Sequence, residues 1–268
     1  MMKAITRQIG LPNGQRNGEQ VLNRGMNCMT GSLDGTILWT TTGERVRNSR
    51  MYHYMQWLRE NKGLSFADYD ALWRWSVEDL ESFWAGLWEY FAIRSSRPYD
   101  AVLENRTMPG AKWFPGARLN YAEHIFRNGR NDRPALLYRS EHLPLQSVSW
   151  EELRQKTASV AAALRRFGVG PGDRVVGYMP NIPETVIAFL ACASIGAVWA
   201  CCSPDFGTPS VVDRFKQIEP SVLFAVDGYR YGGKFYPKPD VVRDLQQALP
   251  GVKRTVIVPC LNGREIRP

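Results

Sequence analysis

The chain has 268 residues, of which 44% are hydrophobic and 22% charged, a composition that excludes a disordered chain and suffices for one large domain or two small ones. Its formal net charge is +8, but the arginines and lysines are scattered, which favours a basic surface or an anionic small ligand over a nucleic-acid partner. It has no apolar run of about 18 residues and no secretory-type start, so we predict no membrane span and expect a cytoplasmic protein.

The cysteines and histidines do not indicate a metal site. They are Cys28, Cys192, Cys201, Cys202, Cys260, His53, His124 and His142. Their spacing fits no zinc pattern, and an odd cysteine count suits buried thiols in a reducing compartment. The adjacent Cys201 and Cys202 lie in an apolar run and are expected to face opposite sides of a strand.

The first segments of the chain show no hydrophobic periodicity. Residues 1–35 are rich in Gly, Asn and Gln and are predicted to form a flexible leader. The next stretch, LWTTTGERV, has threonines and a glycine as phosphate loops do, but no lysine follows the glycine. We therefore predict an ordinary loop there.

Residues 36–127 are predicted to form a helical cap that docks on the rest of the chain. Apolar residues at i, i+3, i+4 and i+7 indicate a first helix, at Met51, Tyr54, Met55 and Leu58. A second helix is expected after a cap at Ser65–Asp68, a third from Ser76–Asp79, and a fourth after Asn120. The aromatic and leucine stripe of the second and third helices is expected to be core: Tyr69, Leu72, Trp73, Leu80, Phe83, Trp84, Leu87, Trp88 and Phe91.

After Asp132 strands and helices alternate. Five apolar runs are predicted strands: PALLYR, GDRVVGYMP, AVWACCSP, SVLFAVDG and VKRTVIVPC. The helices between them are expected to begin at caps that include Ser149, Asn181 and Thr208, the last two with a proline in the first turn. Residues 128–268 are thus predicted to form an α/β fold, a mostly parallel sheet with helices on both faces.

A basic turn follows the fourth predicted strand. The stretch AVDGYRYGGKFYPKP carries Arg230, Gly232, Gly233 and Lys234 just after an apolar run. A Gly-Gly pair after a strand is most often only a turn. Open parallel sheets, however, bind their ligands outside the carboxyl ends of the strands. A structural turn and a phosphate site both stay open for these four residues.

Four stretches resemble a known family. They are ALWRWSVEDLESFW, WFPGARLNYAEHIFR, GDRVVGYMPNIPETVIAFLACASIGAVWACCSPDFG and VVDRFKQIEPSVLFAVDGYRYGGK. Together they resemble the amino-terminal half of acetoacetyl-CoA synthetases (acetoacetate–CoA ligases), which belong to the adenylate-forming superfamily. The likeness covers residues 38–258, most of the chain.

The resemblance implies a two-step reaction and a role for the basic turn. ATP and acetoacetate would give acetoacetyl-adenylate and pyrophosphate with Mg²⁺ at the phosphates, and CoA would then give acetoacetyl-CoA and AMP. In relatives, basic residues of a comparable segment contact the 3′-phosphate of CoA. By resemblance, Arg230 and Lys234 would make this contact, and Gly232 and Gly233 would allow close approach.

The family's later motifs do not occur in these 268 residues. The phosphate loop ending in lysine, the Tyr-Gly-x-Thr-Glu motif and the adenylation lysine have no counterpart. The resemblance therefore implies an incomplete adenylate-forming fold: an amino-terminal fragment that is inactive alone, has no catalytic residue of its own, and self-associates through an uncovered sheet edge. Two alternatives stay open: a non-catalytic module that pairs with full-length subunits, and a fragment of an acetyl- or propionyl-CoA synthetase.

Overall fold

The structure is a computed structural model and describes residues 39–261. The predicted leader, residues 1–35, lies outside the described residues. The chain divides into two compact units between His53 and Tyr54. None of the helices in the described range combines the length and the apolar character needed to cross a bilayer.

A short helix, α1 (Gly43–Arg47), lies in the amino-terminal unit. Thr42 begins it, because its hydroxyl accepts a hydrogen bond from the Arg45 N–H at 3.4 Å. Glu44 in the first turn favours the positive end of the helix dipole. The prediction of an ordinary loop for LWTTTGERV is therefore wrong for its second half, where a threonine cap is enough to start a helix.

Three helices follow: α2 (Arg50–Lys62), α3 (Tyr69–Glu78) and α4 (Leu80–Tyr90). Asp68 caps α3 by accepting from the N–H three residues later at 2.8 Å, within the predicted cap stretch. Asp79 caps α4 in the same way at 3.1 Å. The predicted start of this helix at Ser76–Asp79 is confirmed at its last residue, whereas Ser76 itself lies inside α3, where its hydroxyl donates to the Trp73 carbonyl.

The helical region has its own small core. Tyr54, Leu58 and Leu72 are buried there, and around them pack the partly buried Met55, Trp57, Leu64, Phe66, Trp75, Phe83, Leu87 and Tyr90. The prediction that the whole aromatic stripe is core is wrong for Tyr69, Trp73, Trp84 and Phe91, which are exposed. The stripe is wider than the face that the neighbouring helices cover.

A linker joins this region to the α/β part. It contains the antiparallel pair β1 (Leu103–Asn105) and β2 (Lys112–Trp113) and the helix α5 (Tyr121–Arg127). Asn120 caps α5 as predicted, accepting from the Glu123 N–H at 3.1 Å. The amide of Asn120 also donates to the carbonyls of Ala193 and Ser194, at 3.3 and 3.0 Å. One side chain therefore both begins a helix and docks it.

The first predicted strand lies outside the main sheet. β3 (Leu136–Tyr138) pairs antiparallel with β4 (Gln146–Val148), a strand that was not predicted. A parallel neighbour needs a crossover of a dozen or more residues, whereas the short 139–145 connection allows only a hairpin. PALLYR is therefore not a buried sheet strand, and its Leu137 is 63% exposed.

The α/β part is built on a four-stranded parallel sheet. In chain order its elements are α6 (Trp150–Arg166), β5 (Arg174–Tyr178), α7 (Pro183–Ser194), β6 (Val198–Cys202), α8 (Thr208–Lys216), β7 (Val222–Val226), α9 (Pro239–Ala248) and β10 (Arg254–Val258). A hairpin of β8 (Gly228–Tyr231) and β9 (Lys234–Pro237) stands between β7 and α9. The strand order is β10-β7-β5-β6, with β7 and β5 at the centre.

Side-chain alternation along β7 separates the two layers of the core. Val222, Phe224 and Val226 pack on the side of α6 and α7, whereas Leu223 and Ala225 pack on the side of α8 and α9. All five are buried. Successive side chains of a strand point to opposite faces, so such a strand needs helices on both. The predicted α/β fold with helices on both faces is confirmed.

The helix starts in this region were only partly predicted. Ser149 caps α6, accepting from the Glu152 N–H at 3.1 Å as predicted. The caps predicted at Asn181 and Thr208 are wrong: the residues before the helices are Ile182 and Gly207, without side-chain capping bonds. In both cases a proline in the first turn fixes the backbone angle and removes one N–H that a cap would otherwise satisfy.

The two classes of strand should respond differently to truncation. Leu223→Ala removes a side chain that is 0% exposed in the central sheet, so the free energy of unfolding should fall by about 2–5 kcal/mol. Leu137→Ala in β3 is the matched control and should change it by less than about 0.5 kcal/mol. Urea unfolding measures both values, and similar losses would contradict the assignment of β3 to an exposed hairpin.

Candidate functional site

The β8–β9 hairpin lies at the carboxyl end of β7. Its two turn residues, Gly232 and Gly233, have φ of +57° and +72°, as in the tight turns that favour glycine at both central positions. β5 and β7 are neighbours in the sheet, but the connection after β5 runs to β6 on one side and the connection that leads from β7 to β10 runs to the other side. Such a switch point is where open α/β sheets bind ligands.

The two basic residues of the hairpin lie on opposite faces of it. Arg230 pairs with Phe235 across the hairpin, and Tyr231 pairs with Lys234. Paired residues share a face and neighbours alternate. The Arg230 guanidinium carbon lies 4.2 Å from the centre of the Phe235 ring, a distance at which the ring attracts the cation. Both basic side chains are exposed, and they lie near one turn on opposite faces of the hairpin.

The backbone N–H groups of this turn bind a carboxylate. One oxygen of Glu141 accepts from the Gly232 N–H at 2.9 Å and the other from the Gly233 N–H at 3.2 Å. These two bonds lower the pKa of the Glu141 carboxyl, with a smaller contribution from His142. Glu141 lies between β3 and β4, 91 residues before Gly232. Sequence reasoning missed it, because no local pattern signals a contact at that separation.

The base of the hairpin is fastened to the sheet. The Asp227 carboxylate accepts from the Cys260 and Leu261 N–H groups at 2.6 and 3.0 Å. The backbone carbonyl of Asp227 accepts from the Lys238 N–H at 2.9 Å. Gly228 lies close to the opposite strand: a Cβ there would come within 2.6 Å of the Tyr236 carbonyl oxygen. These contacts hold the base of the hairpin in place, and the base positions the tip.

Tyrosines line the same edge of the sheet. The buried Tyr178 hydroxyl donates to the Pro204 carbonyl at 2.7 Å, and burial raises the pKa of Tyr178 to about 12. The Tyr178 hydroxyl is therefore neutral at ordinary pH and holds the loop after β6 by this hydrogen bond. Tyr229 and Tyr236 stack with ring centres 5.0 Å apart, and the Lys238 ammonium lies 5.4 Å from the Tyr229 ring centre.

Three cysteines of the α/β part, Cys192, Cys201 and Cys202, are not activated. Burial raises the pKa of Cys192 to about 12 and also raises the pKa values of Cys201 and Cys202. A thiol with a raised pKa is a poor nucleophile at neutral pH. Cys201 is exposed and Cys202 is buried, so they face opposite sides of β6 as predicted. Between residues 39 and 261, no group of three or more His, Cys, Asp or Glu residues could hold a metal ion.

Family models match most of this architecture. Residues 124–265, which contain the parallel sheet and the hairpin, match the AMP-binding enzyme family. Residues 69–125, which contain α3 and α4, match the acetyl-coenzyme A synthetase N-terminus. The first match covers more than half of the chain, and the chain belongs to the AMP-binding enzyme family.

Several similar proteins within this family are acetoacetyl-CoA synthetases. The one from Macaca fascicularis is 41% identical over 238 residues, which cover 87% of this chain and 35% of the relative. The one from Rhizobium meliloti (strain 1021) is 42% identical over 223 residues, which cover 83% of this chain and 34% of the relative.

A solved structure, the acetoacetyl-CoA synthetase from Streptomyces lividans, matches with a TM-score of 0.81 and 50% identity, covering 84% of this chain and 35% of that one. The predicted resemblance is confirmed. The fold prediction is also confirmed for the part of that structure that this chain covers. The chain spans about a third of the length of these relatives.

The Glu141 contact should depend on pH in a defined direction. A group whose pKa is lower in the folded state contributes stability above its unfolded value, and the contribution is lost as the pH falls through the folded value. The Gly232 and Gly233 amide resonances of ¹⁵N-labelled chain should therefore shift together below the ordinary glutamate value of about 4.3.

Glu141→Gln is the control for this titration. It keeps His142, so any shift that persists in the variant belongs to another group. In the unsubstituted chain, a shared midpoint at or above the ordinary glutamate value would show that the two amides do not hold the carboxylate.

Proposed function

We propose that this chain is part of an acetoacetate–CoA ligase, which forms acetoacetyl-CoA, AMP and pyrophosphate from ATP, acetoacetate and CoA. The observation that supports this most strongly is the likeness to acetoacetyl-CoA synthetases over 84–87% of the chain. Adenylation with Mg²⁺ would convert the carboxylate, a poor acyl donor, into a mixed anhydride with AMP as leaving group. The acid could instead be acetate or propionate in a related ligase, and ATP–pyrophosphate exchange by the full-length protein with each acid distinguishes them.

The part of this reaction that we assign to the chain is a contact with the 3′-phosphate of CoA. The β8–β9 hairpin fits a phosphate because its turn already holds an anion on two backbone N–H groups. Arg230 offers a planar set of donors and Lys234 a compact charge, one on each face. Gly232 and Gly233 leave the turn open to close approach, since no atom lies within 4 Å of a Cβ added at either.

This contact would bind CoA without taking part in the chemistry. The 3′-phosphate lies far from the thiol, so a contact there holds the substrate and the transition state equally. Such uniform binding lowers the KM for CoA and leaves the acyl-transfer step unchanged. It also has no role in the first half-reaction, which needs no CoA.

The two half-reactions therefore test the assignment. The residues that match Arg230 and Lys234 are replaced by alanine in a full-length acetoacetyl-CoA synthetase. Each change should raise the KM for CoA about tenfold, as expected for a charge-assisted hydrogen bond. ATP–pyrophosphate exchange should stay unchanged.

A matched control is the residue that corresponds to Lys253. It is exposed and precedes β10 at the opposite edge of the sheet, so its replacement by alanine should alter neither activity. Equal losses in both half-reactions of the hairpin variants would point to a folding defect and count against a CoA contact.

A second candidate function is an interaction module, favoured by the two edges of the sheet. Val198 in β6 and Ile257 in β10 are 46% and 49% exposed, and edge strands offer unpaired backbone groups. An apolar groove of about 490 Å³ adjoins β10, and it is lined by α6, α7 and the strand residues Phe224, Val256 and Val258. A second copy or a full-length subunit would fit there.

The purified 268-residue chain separates the two functions. We expect no acetoacetyl-CoA from ATP, acetoacetate and CoA, measured by thioester absorbance against a heat-killed control. Sedimentation velocity over a concentration series should show reversible association through the exposed edges. Formation of acetoacetyl-CoA would contradict the proposal of an inactive fragment. A monomer at every concentration would contradict the interaction module.

A further inference from the structure

The Gly232–Gly233 turn is an anion-binding group formed by the backbone. Two successive N–H groups point at the same carboxylate and are held in place by the left-handed angles of the two glycines. Successive amides in this arrangement form a concave site that suits a phosphate as well as a carboxylate. In the structure it is occupied by the chain's own Glu141.

The Glu141 contact is one that a ligand could displace. Glu141 is exposed and approaches from the separate β3–β4 hairpin. Exposed charged contacts are weak because water competes for both partners. Its position is held by two hydrogen bonds to the turn, and an anion that offers two oxygens to the same amides replaces both bonds.

A phosphate monoester has the advantage over the carboxylate in charge. It carries a charge of about −1.5 to −2 at neutral pH, whereas a glutamate carries one negative charge. Arg230 and Lys234 flank the turn on its two faces, so the more highly charged group gains more from them. The Glu141 carboxylate also repels a phosphate that approaches the same amides.

We propose that Glu141 is an internal competitor for the phosphate site of the hairpin: a phosphate monoester on a nucleotide ligand displaces its carboxylate from the Gly232 and Gly233 amides. This rests on the proposed CoA function, because the ligand is the 3′-phosphate end of CoA. Glu141 then sets the affinity for that end and excludes ligands without a terminal phosphate, which leave the carboxylate in place. No covalent bond changes, and phosphate and carboxylate exchange the same two hydrogen bonds.

The test uses the full 268-residue chain and the nucleotide end of CoA alone. Adenosine 3′,5′-bisphosphate is the probe, and adenosine 3′,5′-cyclic monophosphate, whose single phosphate is a diester, is the matched ligand without a phosphate monoester. Binding is measured at low salt by ¹H–¹⁵N spectra with the unsubstituted chain and with Glu141→Gln. The variant Glu78→Gln, at the exposed end of α3, removes the same charge elsewhere.

Glu141→Gln should bind the bisphosphate about two- to fivefold more tightly than the unsubstituted chain, the range expected for one exposed charge. Glu78→Gln should bind the bisphosphate as tightly as the unsubstituted chain does. The cyclic monophosphate should have the same affinity for the unsubstituted chain, Glu141→Gln and Glu78→Gln. In the unsubstituted chain, the bisphosphate should move the Gly232 and Gly233 amide resonances. A second variant, Glu141→Ala, should bind the bisphosphate as tightly as Glu141→Gln does. It is included because a glutamine at this position can still accept a hydrogen bond from the turn.

The outcomes separate the two proposals. If the bisphosphate binds with equal affinity to the unsubstituted chain and to both Glu141 variants, the competitor role is wrong and the phosphate site stands. The competitor role is also wrong if binding leaves the two glycine amides unmoved. If neither the unsubstituted chain nor the variants bind the bisphosphate, the assignment of the hairpin to CoA fails, and the competitor role fails with it.

Discussion

The burial of β7 on both faces is the constraint on which the rest of the structure depends. A strand whose five residues are all buried needs a helical layer on each side, and parallel neighbours with long crossovers supply both. Parallel strands end at one common edge. The β8–β9 hairpin follows β7 directly, so the same packing that stabilises the sheet places a glycine turn and two basic residues at the carboxyl ends of its strands, the edge at which open α/β sheets bind ligands.

Much of this fold could be predicted from the sequence, because its signals are local. The apolar runs of β5, β6, β7 and β10 and the helices between them have lengths and periods that decide their type. The predictions failed where a competing local feature decided the outcome. α7 and α8 have a proline in the first turn and lack the side-chain caps that were expected. PALLYR contributes a hairpin strand because the connection that follows it is short.

The candidate site could be predicted only in part, for a related reason. The Gly-Gly pair after an apolar run located the turn, and a parallel sheet located its edge. Neither signal shows that Arg230 and Lys234 lie on opposite faces, since that depends on the hairpin register. Glu141 was beyond reach, because its contact with the turn joins two hairpins far apart in the chain. Such contacts arise from tertiary packing and leave no periodic trace in the sequence.

The Asp227 carboxylate has a mechanical consequence for this edge. It ties the segment after β10 to the junction between β7 and β8 through two short hydrogen bonds. A displacement of either segment therefore pulls on the other, and the hairpin cannot swing independently of the neighbouring strand end. In a longer protein of this family, a rearrangement of the segment beyond β10 would be transmitted to the tip of the β8–β9 hairpin through this one side chain.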